Sequence, residues 1–251
     1  MTASEDKLNP PIEENPASEE IDNGSMSITE HLEELRSRII KSLLAVAAGS
    51  GVAYFFLDEI TKFLTAPVGK LYYMKPGEAF FTYLKIDIVA GFLIALPIIF
   101  FHVWKFFLPA LTRSERTVLG LLVPASVILF FSGLAFSFFL ILPLAMKFFM
   151  GFSTDDLQTM FSFQNYFDFV ITFMLPFGFI FELPLVVIVL AQLGMLTSEF
   201  LGKYRRIIFF LSFIIGALIT PPDVISQISL ALPVILLYEV GYRIVKHILR
   251  K

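Results

Sequence analysis

The sequence predicts an all-α polytopic membrane protein with six transmembrane helices, and three observations support this fold class. Apolar residues make up 57% of the 251 residues, phenylalanine alone accounts for 30 of them, and the mean hydropathy is +0.78. These values lie far outside the range of soluble globular proteins. One apolar segment contains no charge over 26 residues, and a bilayer-spanning helix needs only about 20.

Six apolar segments follow one another along the chain, and each predicts one helix. They are Ile39–Leu57, Ile86–Phe107, Thr117–Leu142, Phe169–Leu193, Ile207–Ile219 and Val224–Tyr238. The last two give only about 20 Å of helix each, so we expect both helices to be short. Flanking residues that extend them to normal length are the alternative. Pro221, Pro222 and Asp223 predict a rigid hairpin turn between them.

The basic residues predict the orientation, because cytoplasmic loops of membrane proteins are enriched in Lys and Arg. Placing both termini in the cytoplasm assigns 14 of the 19 basic residues, including every arginine, to that side. Residues 1–26 carry seven acids and one lysine, which is typical of a disordered tail and unlike a signal or transit peptide. We therefore expect this tail, a membrane domain over 27–245 and a short cytoplasmic end at 246–251. A bacterial inner membrane is favoured over a thylakoid membrane.

Glu182 is the only ionisable residue in the fourth apolar segment and falls near its middle. A charge at the bilayer centre costs at least a few kcal/mol on insertion scales, so such residues usually face a bundle interior, a wet cavity or a partner. Pro176 and Pro184 flank the acid and predict a bent helix. The alternative is a carboxyl group that only ties two helices together.

Two stretches on the predicted cytoplasmic side combine charged and apolar residues. Residues 27–44 have apolar side chains at helical spacing and predict an amphipathic helix at the membrane surface, on which Glu34 can meet Arg38. This helix can also be a simple interfacial anchor. In residues 102–120, Trp104 and Phe106 precede a short basic turn that contains Glu115. The orientation rule explains the arginines of this turn, but not the acid.

Four ordered motifs resemble the TatC family of the twin-arginine protein translocase. They are HLEELRSR at 31–38, VWKFFLPALTRSER at 103–116, FELP at 181–184 and TPPDVISQ at 220–227. The resemblance covers about residues 27–245. It implies a receptor rather than an enzyme, which binds twin-arginine signal peptides of folded proteins at the cytoplasmic face. It also implies single-span TatA and TatB partners, self-association in the bilayer and transport driven by the proton-motive force, without cofactors or nucleic acid.

The resemblance also suggests roles for individual residues. Glu34 and Glu115 would bind the two guanidinium groups, because arginine pairs with carboxylates in a bidentate geometry that lysine cannot match. Trp104 and Phe106 would contact the hydrophobic part of the peptide, while Arg36 and Arg116 would orient the acids. Glu182 and Gln227 would form an intramembrane polar site for partner helices. Pro67 would be a proline of the external cap.

Two other classes of function are alternatives to a receptor. A proton- or ion-coupled transporter that uses Glu182 is the main alternative, although no Lys or Arg lies in the middle of an apolar segment. An intramembrane hydrolase is disfavoured, because paired Ser/His, paired Asp and HExxH patterns are missing from the segments. The chain has no cysteine, and its three histidines are scattered without metal-ligand spacing.

Overall fold

The computed structural model describes residues 28–107, 113–154, 160–219 and 224–249. Every regular element in these ranges is a helix, which confirms the predicted all-α class. The α-helices are α1 (Ile28–Ala53), α2 (Leu57–Thr65), α3 (Glu78–Phe107), α4 (Arg113–Phe136), α5 (Leu142–Met150), α6 (Phe163–Phe181), α7 (Leu183–Gln192), α8 (Ser198–Ile219) and α9 (Val224–Ile244). A 3-10 turn joins α1 to α2, a π-helical turn joins α4 to α5, and another continues α9 to Leu249. The predicted tail 1–26 and the hairpin residues Pro221, Pro222 and Asp223 lie outside the described residues.

Within the described ranges, five helical stretches are long and apolar enough to cross a membrane. They cover His31–Thr65, Glu78–Phe106, Gly120–Met150, Phe163–Gln192 and Ser226–Leu249. Helix α8 is not among them, because Lys203, Arg205 and Arg206 lie within its 22 residues. The sixth span and the location of both termini therefore remain predictions.

The last two helices are longer than the sequence predicted. Helix α8 has 22 residues and α9 has 21, which correspond to roughly 33 and 31 Å. The prediction that both are short is wrong, because their apolar parts are continued in helical form by the polar residues at the ends away from the hairpin. Lys, Arg and Glu are good helix formers, so such ends do not terminate a helix.

The amphipathic stretch at 27–44 also differs from its prediction, since it is not a separate helix on the membrane surface. From Ile28 onward it is part of α1, which runs without interruption to Ala53. No proline interrupts this region, and the polar residues before Ile39 simply extend the first apolar segment. The surface-helix interpretation therefore fails because the sequence contains no signal that would end one helix and begin another.

The helices pack in a chain of neighbours: α1 lies along α3, α3 contacts α4, and α4 packs on α6, which in turn contacts α9. Helices α7 and α8 also pack on α9. Glycine permits the closest of these approaches. A Cβ built on Gly49 would overlap the backbone of Gly91, and one on Gly133 would overlap the carbonyl of Phe177. Small residues are common at such crossings, because helix association in lipid depends on close packing.

A buried carboxylate holds the predicted external side together. Glu78 accepts hydrogen bonds from the backbone N–H groups of Met74 (2.7 Å), Lys75 (3.2 Å) and Gln164 (3.0 Å), and from the hydroxyl of Ser162. It thus connects the segment before α3 to the start of α6. We name these two connected segments, residues 66–78 and 160–164, the external cap.

Further backbone contacts close the same cap. Tyr72 and Ser162 form an isolated parallel bridge, in which the Phe163 N–H donates to the Tyr72 carbonyl at 2.8 Å. The Tyr166 hydroxyl donates to the Leu64 carbonyl at 2.6 Å and so ties α6 to α2. Pro67, which was predicted to lie in this cap, occupies the exposed turn that directly follows α2.

Candidate functional site

The candidate site is a groove between the first half of α1 and the last turns of α3. Its polar part has a volume of about 530 Å³ and is lined by Glu33, Glu34, Ser37, Arg38, Lys41, His102 and Lys105. An apolar part of about 430 Å³ continues from it between residues such as Leu35, Ile39 and Phe106. Arg38 and His102 line both parts. We call the whole the α1–α3 groove.

Glu34 is held in place by Arg38, one helical turn away. The guanidinium of Arg38 donates to Oε1 of Glu34 and also to the His102 carbonyl on α3 at 3.3 Å. Oε2 of Glu34 is buried, accepts no hydrogen bond within the described ranges, and lies 3.9 Å from Nδ1 of His31. Glu34 therefore retains acceptor capacity for a further donor.

Phe106 packs on His31 and lines the apolar part of the groove. Its ring stacks on that of His31, with the centroids 4.2 Å apart and the planes inclined by 23°. Because His31 and Glu34 are on α1 and Phe106 is on α3, the stacking brings the predicted acidic and aromatic residues to one place. Sequence reasoning did not identify His31 or His102 as members of the site.

Two residues have different surroundings from those expected. Trp104 is buried in the protein core, and its Nε1–H donates to Oγ of Ser126 on α4 at 2.9 Å. A buried indole needs such a partner, so Trp104 supports α3 from behind and does not line the groove. The guanidinium paired with Glu34 is that of Arg38, as the spacing of four residues predicted, whereas Arg36 is exposed.

Glu115 and Arg116 lie in the first turn of α4, but their side chains are outside the described part of the molecule. The groove without them contains two carboxylates and three basic side chains. A ligand with two guanidinium groups would therefore meet an excess of positive charge there, unless a further acid were supplied. Glu115 is the first acid after the end of α3 in the sequence, and it lies in the first turn of α4.

Glu182 sits at the break between α6 and α7, with Pro184 at the beginning of α7. The helix is interrupted here, next to one of the two prolines that predicted a bend. The side chain is buried, Ser126 is a hydrogen-bonding neighbour of its carboxyl group, and Oε1 has no hydrogen-bond partner among the described residues. Ser126 thus lies between Trp104 and Glu182.

Gln227, predicted to form a polar patch with Glu182, has a different partner. Its Nε2 donates to the Phe213 carbonyl at 3.0 Å and so connects α9 to α8. Glu182 instead has its neighbour on α4, so no direct hydrogen bond joins the two residues in the described chain. Across the same ranges, no group of three or more His, Cys, Asp or Glu side chains could hold a metal ion.

Comparisons with known proteins agree on one family. The family described as "Sec-independent protein translocase protein (TatC)" matches residues 30–233. The chain belongs to the TatC family. It is 41% identical over 220 residues to the TatC protein of Desulforapulum autotrophicum, covering 85% of this chain and 82% of that protein. The corresponding protein of Carboxydothermus hydrogenoformans is 41% identical, with 89% and 94% covered.

A solved structure of the family has the same fold. The crystal structure described as "Twin Arginine Translocase Receptor- TatC" superposes with a TM-score of 0.77 at 38% identity, over 86% of this chain and 98% of that one. The resemblance inferred from the four motifs is thereby confirmed. This TatC-family chain is a multi-pass membrane component of the Tat protein translocase and not an enzyme.

Proposed function

We propose that the α1–α3 groove receives the twin-arginine segment of a signal peptide, with Glu34 and Glu115 as the carboxylates that bind the two guanidinium groups. The single observation that carries the proposal is the Oε2 atom of Glu34, which is buried at the groove and accepts no hydrogen bond in the described structure. An arginine donates in a planar fork, so this unused acceptor beside an apolar surface fits it.

The order of the two parts of the groove supports the same function. A polar part is followed directly by an apolar part lined by Leu35, Ile39 and Phe106. A peptide with two arginines and then a hydrophobic run would place each portion against matching chemistry. Arg38 would orient Glu34 rather than contact the peptide, because its guanidinium is already engaged with Glu34 and the His102 carbonyl.

The basic residues of the groove explain why one acid is insufficient. Arg38, Lys41 and Lys105 repel an incoming pair of arginines and leave Glu34 only partly available. We therefore infer that Glu115 supplies the second carboxylate, and that Arg116 orients it. Loss of Glu115 should weaken binding more than loss of Glu34, because Glu33 and Glu30 are close to Glu34 in sequence and can partly replace it.

The experiment compares binding of a twin-Arg peptide and its twin-Lys variant to the purified protein. Glu115→Ala should reduce affinity for the twin-Arg peptide by roughly ten- to hundredfold, as expected for one lost charge-assisted pair, and Glu34→Ala should reduce it less. Glu199→Gln, in the first turn of α8 and exposed, is the matched control and should have no effect. Unchanged affinity in Glu115→Ala, or equal affinity for both peptides, would refute the proposal; the latter is the result expected of an ion-coupled transporter.

The remaining assignments extend this function to the assembled translocase. We propose that Glu182 and Gln227 serve partner helices of the TatA and TatB type, that the chain self-associates, and that the proton-motive force drives transport. The distribution of basic residues supports a bacterial inner membrane with both termini in the cytoplasm. This orientation puts the α1–α3 groove on the cytoplasmic side and the Pro67 cap on the external side.

A further inference from the structure

A second groove, unrelated to the α1–α3 groove, opens near the external cap. It has a volume of about 610 Å³, within the range of ligand pockets, and lies between α2, α3, α6 and the junction of α4 with α5. Of the 19 residues that line it, 18 are apolar and one, Glu59, is charged. We call it the external groove.

The external groove opens between four of the helical stretches that are long and apolar enough to cross a membrane. Phe63, Ile94 and Phe139 line it and are about half or more exposed, whereas Phe138 and Val170 form its buried base. Phe63 stacks on Phe138 with the ring centroids 4.8 Å apart, so one wall is rigid. In a membrane, an apolar groove of this kind is filled by hydrocarbon.

The open side of the groove suits a flexible acyl chain. Because Phe63, Ile94 and Phe139 are exposed at its rim, a chain can enter the groove laterally and lie against its buried base. Lipid tails are as apolar as leucine, and burying one chain rather than another brings no hydrophobic gain. Any selectivity must therefore come from the polar end of the groove, which is Glu59.

Glu59 supplies the charge at the polar end of the groove. It is exposed on the first turn of α2, and no ion pair or hydrogen bond of its carboxylate occurs in the described structure. An ionised carboxylate is acceptor-only. Lys62, three residues further along the same helix and also exposed, offers a positive charge on the neighbouring turn. A carboxylate and an ammonium group at this spacing can face the positive and the negative charge of one zwitterion, respectively.

We propose that the external groove is a binding site for a phospholipid with a primary ammonium headgroup, phosphatidylethanolamine being the simplest. The ammonium group donates to Glu59, the phosphate lies against Lys62, and one acyl chain occupies the apolar groove. Phosphatidylcholine lacks the N–H donors, and phosphatidylglycerol lacks the positive charge. Both should therefore bind less well than phosphatidylethanolamine with the same acyl chains.

Native mass spectrometry of the purified full chain tests this directly. The protein is mixed with equal amounts of phosphatidylethanolamine, phosphatidylcholine and phosphatidylglycerol of identical chain length, and the retained lipid is measured. We expect about a tenfold preference for phosphatidylethanolamine. Glu59→Gln should abolish the preference, whereas Asp58→Asn, a neighbouring acid on α2 that does not line the groove, should keep it.

A second variant separates the headgroup from the chain. Ala135 lines the groove from an exposed position on α4, so Ala135→Phe fills space without a clash in the core and should reduce retention of all three lipids. The proposal is overturned by equal retention of the three lipids, by loss of the preference in Asp58→Asn as well, or by unchanged retention in Ala135→Phe. Disulfide dimers of an Ile94→Cys variant in native membranes would also overturn it, because a second protein copy would then occupy the groove.

Discussion

Replacing Ser126 by alanine tests how the core behind the α1–α3 groove is held. Its hydroxyl accepts from the Trp104 indole at 2.9 Å and is a hydrogen-bonding neighbour of Glu182. Ser126 is completely buried, and the substitution removes one oxygen atom without adding bulk. The effect on stability is therefore dominated by hydrogen bonding rather than by packing.

The expected magnitude follows from the two groups that lose a partner. A buried donor or acceptor deprived of its hydrogen bond costs about 1–3 kcal/mol. Measured side-chain hydrogen bonds within membrane proteins are weaker on average, about 0.6 kcal/mol with a maximum near 1.7. We expect Ser126→Ala to lower the free energy of unfolding by about 1–3 kcal/mol, since the change affects both Trp104 and Glu182.

A double-mutant cycle with Trp104→Phe isolates the pair. Removing donor and acceptor together should cost less than the sum of the single changes, by about 0.6–1.7 kcal/mol. The measurement is reversible unfolding in mixed micelles with increasing denaturing detergent, followed by circular dichroism. Strictly additive changes in the free energy of unfolding would refute the role assigned to this hydrogen bond. A Ser126→Ala variant as stable as the parent protein would refute it as well.

Three further predictions test the remaining features. Glu182→Ala should retain signal-peptide affinity but reduce disulfide cross-linking to a TatA-type helix, with Glu182→Gln milder because it still forms hydrogen bonds; loss of peptide binding in the alanine variant would contradict this. Glu78→Gln should lower the melting temperature, because an amide cannot accept all four hydrogen bonds of the carboxylate. Asp168→Asn should lower it less, because Asp168 belongs to an ion pair that is nearly half exposed. Equal melting temperatures of the two variants would argue against the cap contact. Gly91→Ala should separate α1 from α3 and weaken peptide binding measured by titration. Gly51→Ala should leave the affinity unchanged, because a Cβ added there meets nothing. Equal peptide affinities of the two variants would show that the close approach is dispensable.

The sequence predicted the parts of the fold that depend on hydrophobicity over long windows. The uncharged segment before Leu142 lies in a stretch that is long and apolar enough to cross a membrane, and the helix is interrupted at Glu182, between the two prolines. It could not predict that the charged residues before Ile39 continue the first helix, because amphipathic surface helices and polar helix extensions have the same periodicity. The sequence also did not predict the lengths of α8 and α9, because the hydropathy of their polar ends resembles that of loops.

Within the site, sequence reasoning identified residues with distinctive chemistry and one pair among them, Glu34 with Arg38. Glu34 lines the polar part of the α1–α3 groove and Phe106 lines its apolar part. Arg38 rather than Arg36 holds Glu34, since helical neighbours four residues apart share a face whereas those two apart do not. Glu78 was missed because an acid at a helix start is common. Its burial depends on Ser162 and Gln164, which are distant in sequence.

The close approach of α1 to α3 at Gly49 has a mechanical consequence. About 22 Å of helix separates Glu34 from Gly49, whereas only about 6 Å separates Gly49 from Ala53, where α1 ends and the 3-10 turn begins. Gly49 therefore divides α1 into one long and one short lever arm. A tilt of α1 about this contact that moves Glu34 by 1 Å would displace Ala53 by only about 0.3 Å, so the α1–α3 groove can open with little movement of α2 and the external cap.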